Sequence, residues 1–123
     1  MSETDRNLIE VALADAVVEL SAADWEPDVP GIRVREREIG GRRWALVEYA
    51  PGARRDEWCH DGHLGVVLSG QIAYEFDDGG PNVVAATGDA FTLSTGRGHR
   101  GRNEGADATT LFLIDDPAEA PIH

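Results

Sequence analysis

The sequence predicts an all-β protein, an antiparallel β-barrel of the double-sheet jelly-roll type. Short apolar runs, several of them alternating with polar residues, recur along the 123 residues and are separated by turns rich in the chain's 14 glycines. We count about eight to ten such strands, and that number at this spacing is typical of a closed antiparallel barrel or a jelly roll. The length fits one domain.

The strands can be placed in order from their periodicity and the turns between them. Residues 8–20 are apolar and alanine-rich and fit either a short helix or an opening strand. Residues 32–39 alternate between apolar and charged, Gly40-Gly41 makes a hairpin turn, and residues 43–49 return as the partner strand. Further strands are predicted at residues 64–69, 71–76, 83–86, 90–93, 100–103 and 109–114.

The net charge of −12 is concentrated at the two ends of the chain. Residues 1–28 carry −7, residues 115–123 carry −3, and the part between them is nearly balanced. We therefore divide the chain into an acidic N-terminal segment (1–28), a barrel (29–116) and a C-terminal tail (117–123). Nucleic acid is not expected as a partner, since phosphate binding requires a basic surface. No lysine is present, which excludes Schiff-base chemistry on this chain.

Composition also bears on the compartment. Cys59 is the single cysteine, so no internal disulfide can form. The sequence has no apolar run of the length that spans a bilayer, and its first residues lack the basic and apolar pattern of a secretory signal. We expect a cytoplasmic protein with no membrane partner.

The most specific pattern in the chain lies between Gly88 and Asn103. Gly88 opens a turn, residues 90–93 form a short apolar strand, and a second turn through Gly96 brings His99 back on a new strand. The imidazole of His99 is then able to point into the barrel.

This pattern resembles the second motif of the cupin superfamily, G-x5-P-x-G-x2-H-x3-N, with Ser94 in place of the proline. The resemblance implies a small single-domain cupin, often a homodimer, that holds a metal and a small organic ligand inside an antiparallel barrel. Asn103 at the end of the motif is expected to brace the turn.

The first cupin motif, G-x5-H-x-H-x3,4-E-x6-G, is present only in altered form. When it is anchored on Gly70, His63 takes the position of the glutamate, while Cys59 and Glu57 take those of the two histidines. We predict a metal site of Glu57, His63 and His99, with Cys59 as a possible fourth ligand. Residues 57 and 59 share one face of a strand, so both can point inwards. In an alternative register His60 binds together with His63, and Cys59 is a buried hydrophobe.

These ligand types leave the identity of the divalent metal open. Two imidazoles and a carboxylate resemble the facial triad of Fe(II) enzymes, and the same groups suit Zn, Mn or Ni. A thiolate from Cys59 would favour Zn or Fe over Mn.

We expect a metal-dependent enzyme that acts on a small organic molecule, of oxygenase, isomerase, lyase or cyclase type. The alternative is a cupin that binds or senses a small ligand without turnover. Tyr49 or Tyr74 could offer a hydroxyl to the ligand, and the pairs Arg42-Arg43 and Arg54-Arg55 could face an anionic substrate.

Overall fold

The computed structural model describes residues 15–115, and these form nine strands and one 3-10 helix, Leu20–Ala22. The turns between them coincide with the glycines that the sequence analysis used as boundaries. The strands are β1 (Glu26–Pro27), β2 (Ile32–Ile39), β3 (Arg42–Tyr49), β4 (His63–Ser69), β5 (Gln71–Phe76), β6 (Val83–Ala86), β7 (Ala90–Leu93), β8 (His99–Arg102) and β9 (Thr109–Asp115).

The strands form two antiparallel sheets. The large sheet has the order β1-β2-β3-β9-β4-β7, and the small sheet has the order β6-β5-β8. Strand β3 of the large sheet turns alternate side chains inwards, so that residues 44–49 alternate between half-buried and buried. The core lies between the sheets and consists mainly of aliphatic and aromatic side chains from β2, β3, β4, β5, β7 and β9.

This architecture confirms the predicted fold class. Four strands, β2, β5, β6 and β7, have the predicted bounds, and four others differ by one residue at one or both ends. The two-residue strand β1 was not predicted, and it pairs the end of the acidic segment with β2. Most of the predicted element at 8–20 and the tail at 117–123 lie outside the described residues.

A further stretch of chain, residues 53–59, extends the small sheet beside β8. Arg55 N donates to Gly101 O at 3.0 Å, and Cys59 and His99 exchange two backbone hydrogen bonds at 2.8 and 2.9 Å. From Arg55 to Cys59 the chain advances four residues, whereas their partners on β8, Gly101 and His99, are only two residues apart. The two additional residues form a bulge at residues 56–58, and side chains there no longer alternate between the two faces as in a regular strand.

Asn103 fastens the end of β8 to two other parts of the fold. It is 1% exposed, and its side-chain amide donates to the carbonyl oxygens of Tyr49, Ala50 and Asp107 at 3.2, 3.3 and 2.8 Å. Its Oδ1 accepts a hydrogen bond from Gly105 N. The bracing role expected of Asn103 is thus observed in detail.

The outer face of the large sheet carries two apolar rows in register across β3, β9 and β4. One row is Trp44, Ile114 and Leu64, and the next is Leu46, Phe112 and Val66. The homodimer expected from the sequence stays a prediction, which the molar mass in solution would test. Within residues 15–115 no helix is long and apolar enough to cross a membrane.

Candidate metal site

The two sheets bring three potential metal ligands together inside the barrel. His63 is the first residue of β4 in the large sheet, and His99 is the first residue of β8 in the small sheet. Cys59 is fixed beside His99 by their paired backbone hydrogen bonds. One ligand atom from each of the three residues lies within 4.8 Å of the others. Residues far apart in sequence therefore present two imidazoles and a thiol to one point.

His63 is oriented by a carboxylate on the neighbouring strand. It lies opposite Asp115 in the pairing of β4 with β9, and its Nδ1 is 3.1 Å from Asp115 Oδ1. Because an ionised carboxylate only accepts hydrogen bonds, Nδ1 carries the proton. Nε2 is left with its lone pair, 3.9 Å from Cys59 Sγ. Carboxylates hold metal-binding histidines in proteins in the same way.

Asp115 itself is held by Arg43, whose Nε and Nη2 lie 3.2 and 3.3 Å from the two carboxylate oxygens. Arg43 also donates from Nη1 to Glu36 at 2.8 Å. This chain of ion pairs fixes the carboxylate at the rim of the barrel, and through it the ring of His63.

His99 is buried at 3% exposure against two other rings. Its centroid lies 5.2 Å from that of His63 and 5.7 Å from that of Tyr74, both in edge-to-face orientation. Nδ1 of His99 is buried and has no well-aligned hydrogen-bond partner among residues 15–115, although the backbone of Arg97 acts on the ring and opposes the lowering of its pKa.

All three residues are of types that bind a metal ion, and the spacing of Cys59 and His63 fits one. Zinc–sulfur and zinc–nitrogen bonds of about 2.3 and 2.0–2.1 Å at tetrahedral angles place the ligand atoms about 3.6 Å apart. The observed 3.9 Å between Cys59 Sγ and His63 Nε2 is close to that value. The donor set of two imidazoles and a thiol agrees with occupancy by a metal.

The protonation of both imidazoles is suppressed by their surroundings. Burial, together with the neighbouring ring of His63, lowers the pKa of His99 to about 4. Burial also lowers the pKa of His63, and Asp115 opposes that shift only in part. Both rings are therefore neutral near pH 7, which is the form that binds a metal.

We expect the metal-free protein to lose stability as the pH falls from about 6.5 to about 4. In that range the unfolded chain binds a proton at residue 99 and the folded chain does not, so acid favours unfolding. The effect of His99 reaches at most about 3 kcal/mol. Urea unfolding in chelator at several pH values measures it, and a His99→Gln variant should show a shallower slope. An equal slope in the variant would contradict the assignment.

The structure does not bring Glu57 into this group. Glu57 is exposed and lies in the bulge, lining an outer cleft rather than the barrel interior. The bulge removes the strand alternation on which the pairing of residues 57 and 59 was predicted. Glu57 as a ligand stays a prediction without geometric support here. His60 is also exposed, with Nε2 3.6 Å from Asp77 Oδ2.

A cavity of about 150 Å³ adjoins the three ligands, and it shares the lining residues Asp28, Arg55 and Cys59 with an outer cleft of about 740 Å³. Both candidate tyrosines of the sequence analysis line the cavity. So do several residues that sequence reasoning did not assign to the site or assigned only loosely. They are Asp28, Arg43, Val47, Arg55, Gly101 and Leu113.

Asp115 is the main residue that the sequence analysis missed. It was counted only in the negative charge of residues 115–123. Its role follows from its register opposite His63, across 52 positions of sequence. The sequence carries no local signal for that pairing.

A two-sheet antiparallel barrel with a buried histidine–cysteine group beside an internal cavity belongs to the class of small β-barrel proteins with a possible metal site. Comparison with known proteins gives the family. The Cupin_2 model, described as a cupin domain, matches residues 45–115, so the chain belongs to the cupin family. No curated protein is similar enough in sequence to count as a match.

Solved structures agree on the fold. KdgF from Halomonas sp. is 19% identical with a TM-score of 0.64, covering 83% of this chain and 94% of that one. The polyketide cyclase RemF from Streptomyces resistomycificus is 15% identical with a TM-score of 0.66, covering 82% and 78%. A Cupin 2 conserved barrel domain protein from Salinispora arenicola is 18% identical with a TM-score of 0.63, covering 85% and 92%.

Proposed function

We propose that this cupin is a metal-dependent enzyme acting on a small organic molecule, and that Cys59, His63 and His99 hold the metal. The observation that carries the proposal is the convergence of three ligand atoms within 4.8 Å at the wall of an internal cavity.

The donor set favours zinc or iron. A thiolate and two imidazoles form a softer set than the histidines and carboxylate of the family motif, and softness selects against manganese. Three protein ligands leave a coordination position open, as in catalytic sites. A metal held by these three residues would supply Lewis-acid chemistry.

The remaining residues of the cavity would bind and orient the substrate. Tyr49 and Tyr74 are buried at 2% and 3% exposure, and burial raises the pKa of both phenols. They therefore stay protonated at neutral pH and can donate hydrogen bonds. Val47 and Leu113 give the cavity apolar walls that limit access of water. The volume admits only a small reacting group, and the outer cleft has room for the rest of a substrate.

Cobalt(II) substitution tests the ligand set without any assay of activity. The metal-free protein loaded with Co(II) should show a near-ultraviolet thiolate-to-metal charge-transfer band because Cys59 is a ligand. Cys59→Ser should lose that band and bind Co(II) more weakly. A His60→Ala variant, which removes an exposed imidazole nearby, should keep the spectrum of the unmodified protein. A spectrum that is the same with and without the thiol would contradict the role of Cys59.

The alternative function is a cupin that binds a small ligand without turnover. The observation in its favour is the loss of the histidine pair from the first motif, where Glu57 and Cys59 now stand. If the protein binds no metal, and a metabolite raises its thermal stability, this second function replaces the first.

A further inference from the structure

One wall of the cavity is built from three hydrogen-bonded polar residues, Asp28, Tyr49 and Arg55. Arg55 and Asp28 line both the cavity beside the metal ligands and the outer cleft. They therefore stand where a ligand would pass from the cleft into the barrel.

Arg55 is the centre of this wall. Its Nε donates to the hydroxyl of Tyr49 at 3.1 Å, and its Nη1 donates to Asp28 Oδ2 at 2.8 Å. The side chain of Arg55 is 26% exposed and that of Asp28 is 41% exposed. Asp28, on the loop between β1 and β2, is thus the more accessible of the two residues. The guanidinium of Arg55 is held at the barrel by Tyr49.

The hydroxyl of Tyr49 is available to donate a hydrogen bond to a ligand in the cavity. Its oxygen accepts from Arg55, so its own proton is not used in that contact. Within residues 15–115 the structure shows no acceptor for that proton. Gly101 lets both tyrosines approach β8 closely, because a Cβ there would lie 2.9 Å from the Tyr49 hydroxyl oxygen and 2.9 Å from Tyr74 Cε1.

We propose that Arg55 and Tyr49 bind the carboxylate of a small organic anion, and that Asp28 occupies Arg55 in the empty protein as a built-in competitor. This names the substrate class of the site proposed above and rests on that proposal only for the metal. The hydrogen bond from Arg55 to Asp28 already shows that the guanidinium can bind a carboxylate in this position. An arriving carboxylate would exchange with it.

The chemistry of these groups favours a carboxylate over a neutral ligand. A guanidinium presents a planar set of N–H donors that matches the two oxygens of a carboxylate. A neutral amide would have to displace the ion pair of Arg55 with Asp28 without replacing its charge. The exchange of one carboxylate for another leaves the charge of Arg55 balanced.

The test is calorimetric titration of the full chain, freed of metal, with malonate as the anion and malonamide as its neutral counterpart. Asp28→Asn removes the competing charge and should strengthen malonate binding by about tenfold. Arg55→Gln removes the receptor and should weaken it by about tenfold or more. Arg33→Gln removes an arginine paired with Glu48 at 2.8 Å outside the cavity and serves as the matched control, with unchanged binding.

Asp28→Asn should raise the affinity for malonate and Arg55→Gln should lower it. These opposite changes distinguish the loss of a binding contact from a general disturbance of the fold, which would lower the affinity in both variants. Weaker binding in both Asp28→Asn and Arg55→Gln, equal binding of malonamide, or no binding of malonate by Asp28→Asn would overturn the proposal. If Arg55→Gln does not fold, the sign of the Asp28→Asn effect still decides.

The Co(II) spectrum separates this inference from the proposed metal site. Malonate binding without a metal site would uphold the inference and overturn only the metal. A metal site without malonate binding would uphold the proposed metal site and overturn the carboxylate-binding role of Arg55 and Tyr49.

Discussion

Replacing His99 by alanine is expected to lower the affinity for zinc by at least about 100-fold while the strands remain formed. The substitution removes one of three ligands, and loss of an outer-shell partner alone costs 10–100-fold in known metal sites. The backbone pairing of residue 99 with Cys59 does not depend on the imidazole. Competition with a chromophoric chelator measures the affinity, and circular dichroism monitors the fold.

His60→Ala is the matched control for this experiment. It removes an imidazole only one position from Cys59, but this imidazole is exposed and points to Asp77. We expect unchanged zinc affinity in that variant. Equal losses in the two variants would show that zinc binds through a surface histidine, and unchanged affinity in His99→Ala would remove His99 from the site.

Asn103→Asp is expected to destabilise the protein by about 4 kcal/mol at neutral pH. The substitution preserves shape but sets a carboxylate oxygen against the three carbonyl oxygens that now accept from the side-chain amide. A buried charge without a partner costs several kcal/mol. The loss should diminish in acid, where the new carboxyl becomes protonated and can donate one hydrogen bond.

Urea unfolding at pH 7 and pH 5 measures the effect of Asn103→Asp. The exposed Asn82 offers the same chemical change without burial, and Asn82→Asp should alter stability by less than about 0.5 kcal/mol. A similarly small change at Asn103 would contradict the bracing role given to its amide.

Local patterns in the sequence were sufficient to predict most of the strands and the fold class. The alternation of residues 32–39, the Gly40-Gly41 turn and the spacing from Gly88 to Asn103 are properties of short windows, and each strand forms where its own window predicts. The same windows placed His99 and His63 at the starts of strands with their rings directed inwards. Both histidines of the predicted site therefore meet Cys59 in the structure.

Contacts between distant segments decided the rest of the site and could not be read from one sequence. The bulge before Cys59 depends on how residues 53–59 pair with β8, and it removes the alternation that predicted an inward Glu57. Asp115 reaches His63 only through the pairing of β9 with β4. Asp28 meets Arg55 because β1 joins the large sheet, although the sequence placed residue 28 in a separate acidic segment.

The metal content of tag-free protein, purified without chelator and after reconstitution, tests most directly whether Cys59, His63 and His99 hold a metal. We expect close to one zinc or iron per chain in the unmodified protein and none in His99→Ala. A protein that takes up no metal even after reconstitution would contradict the account and leave a ligand-binding barrel.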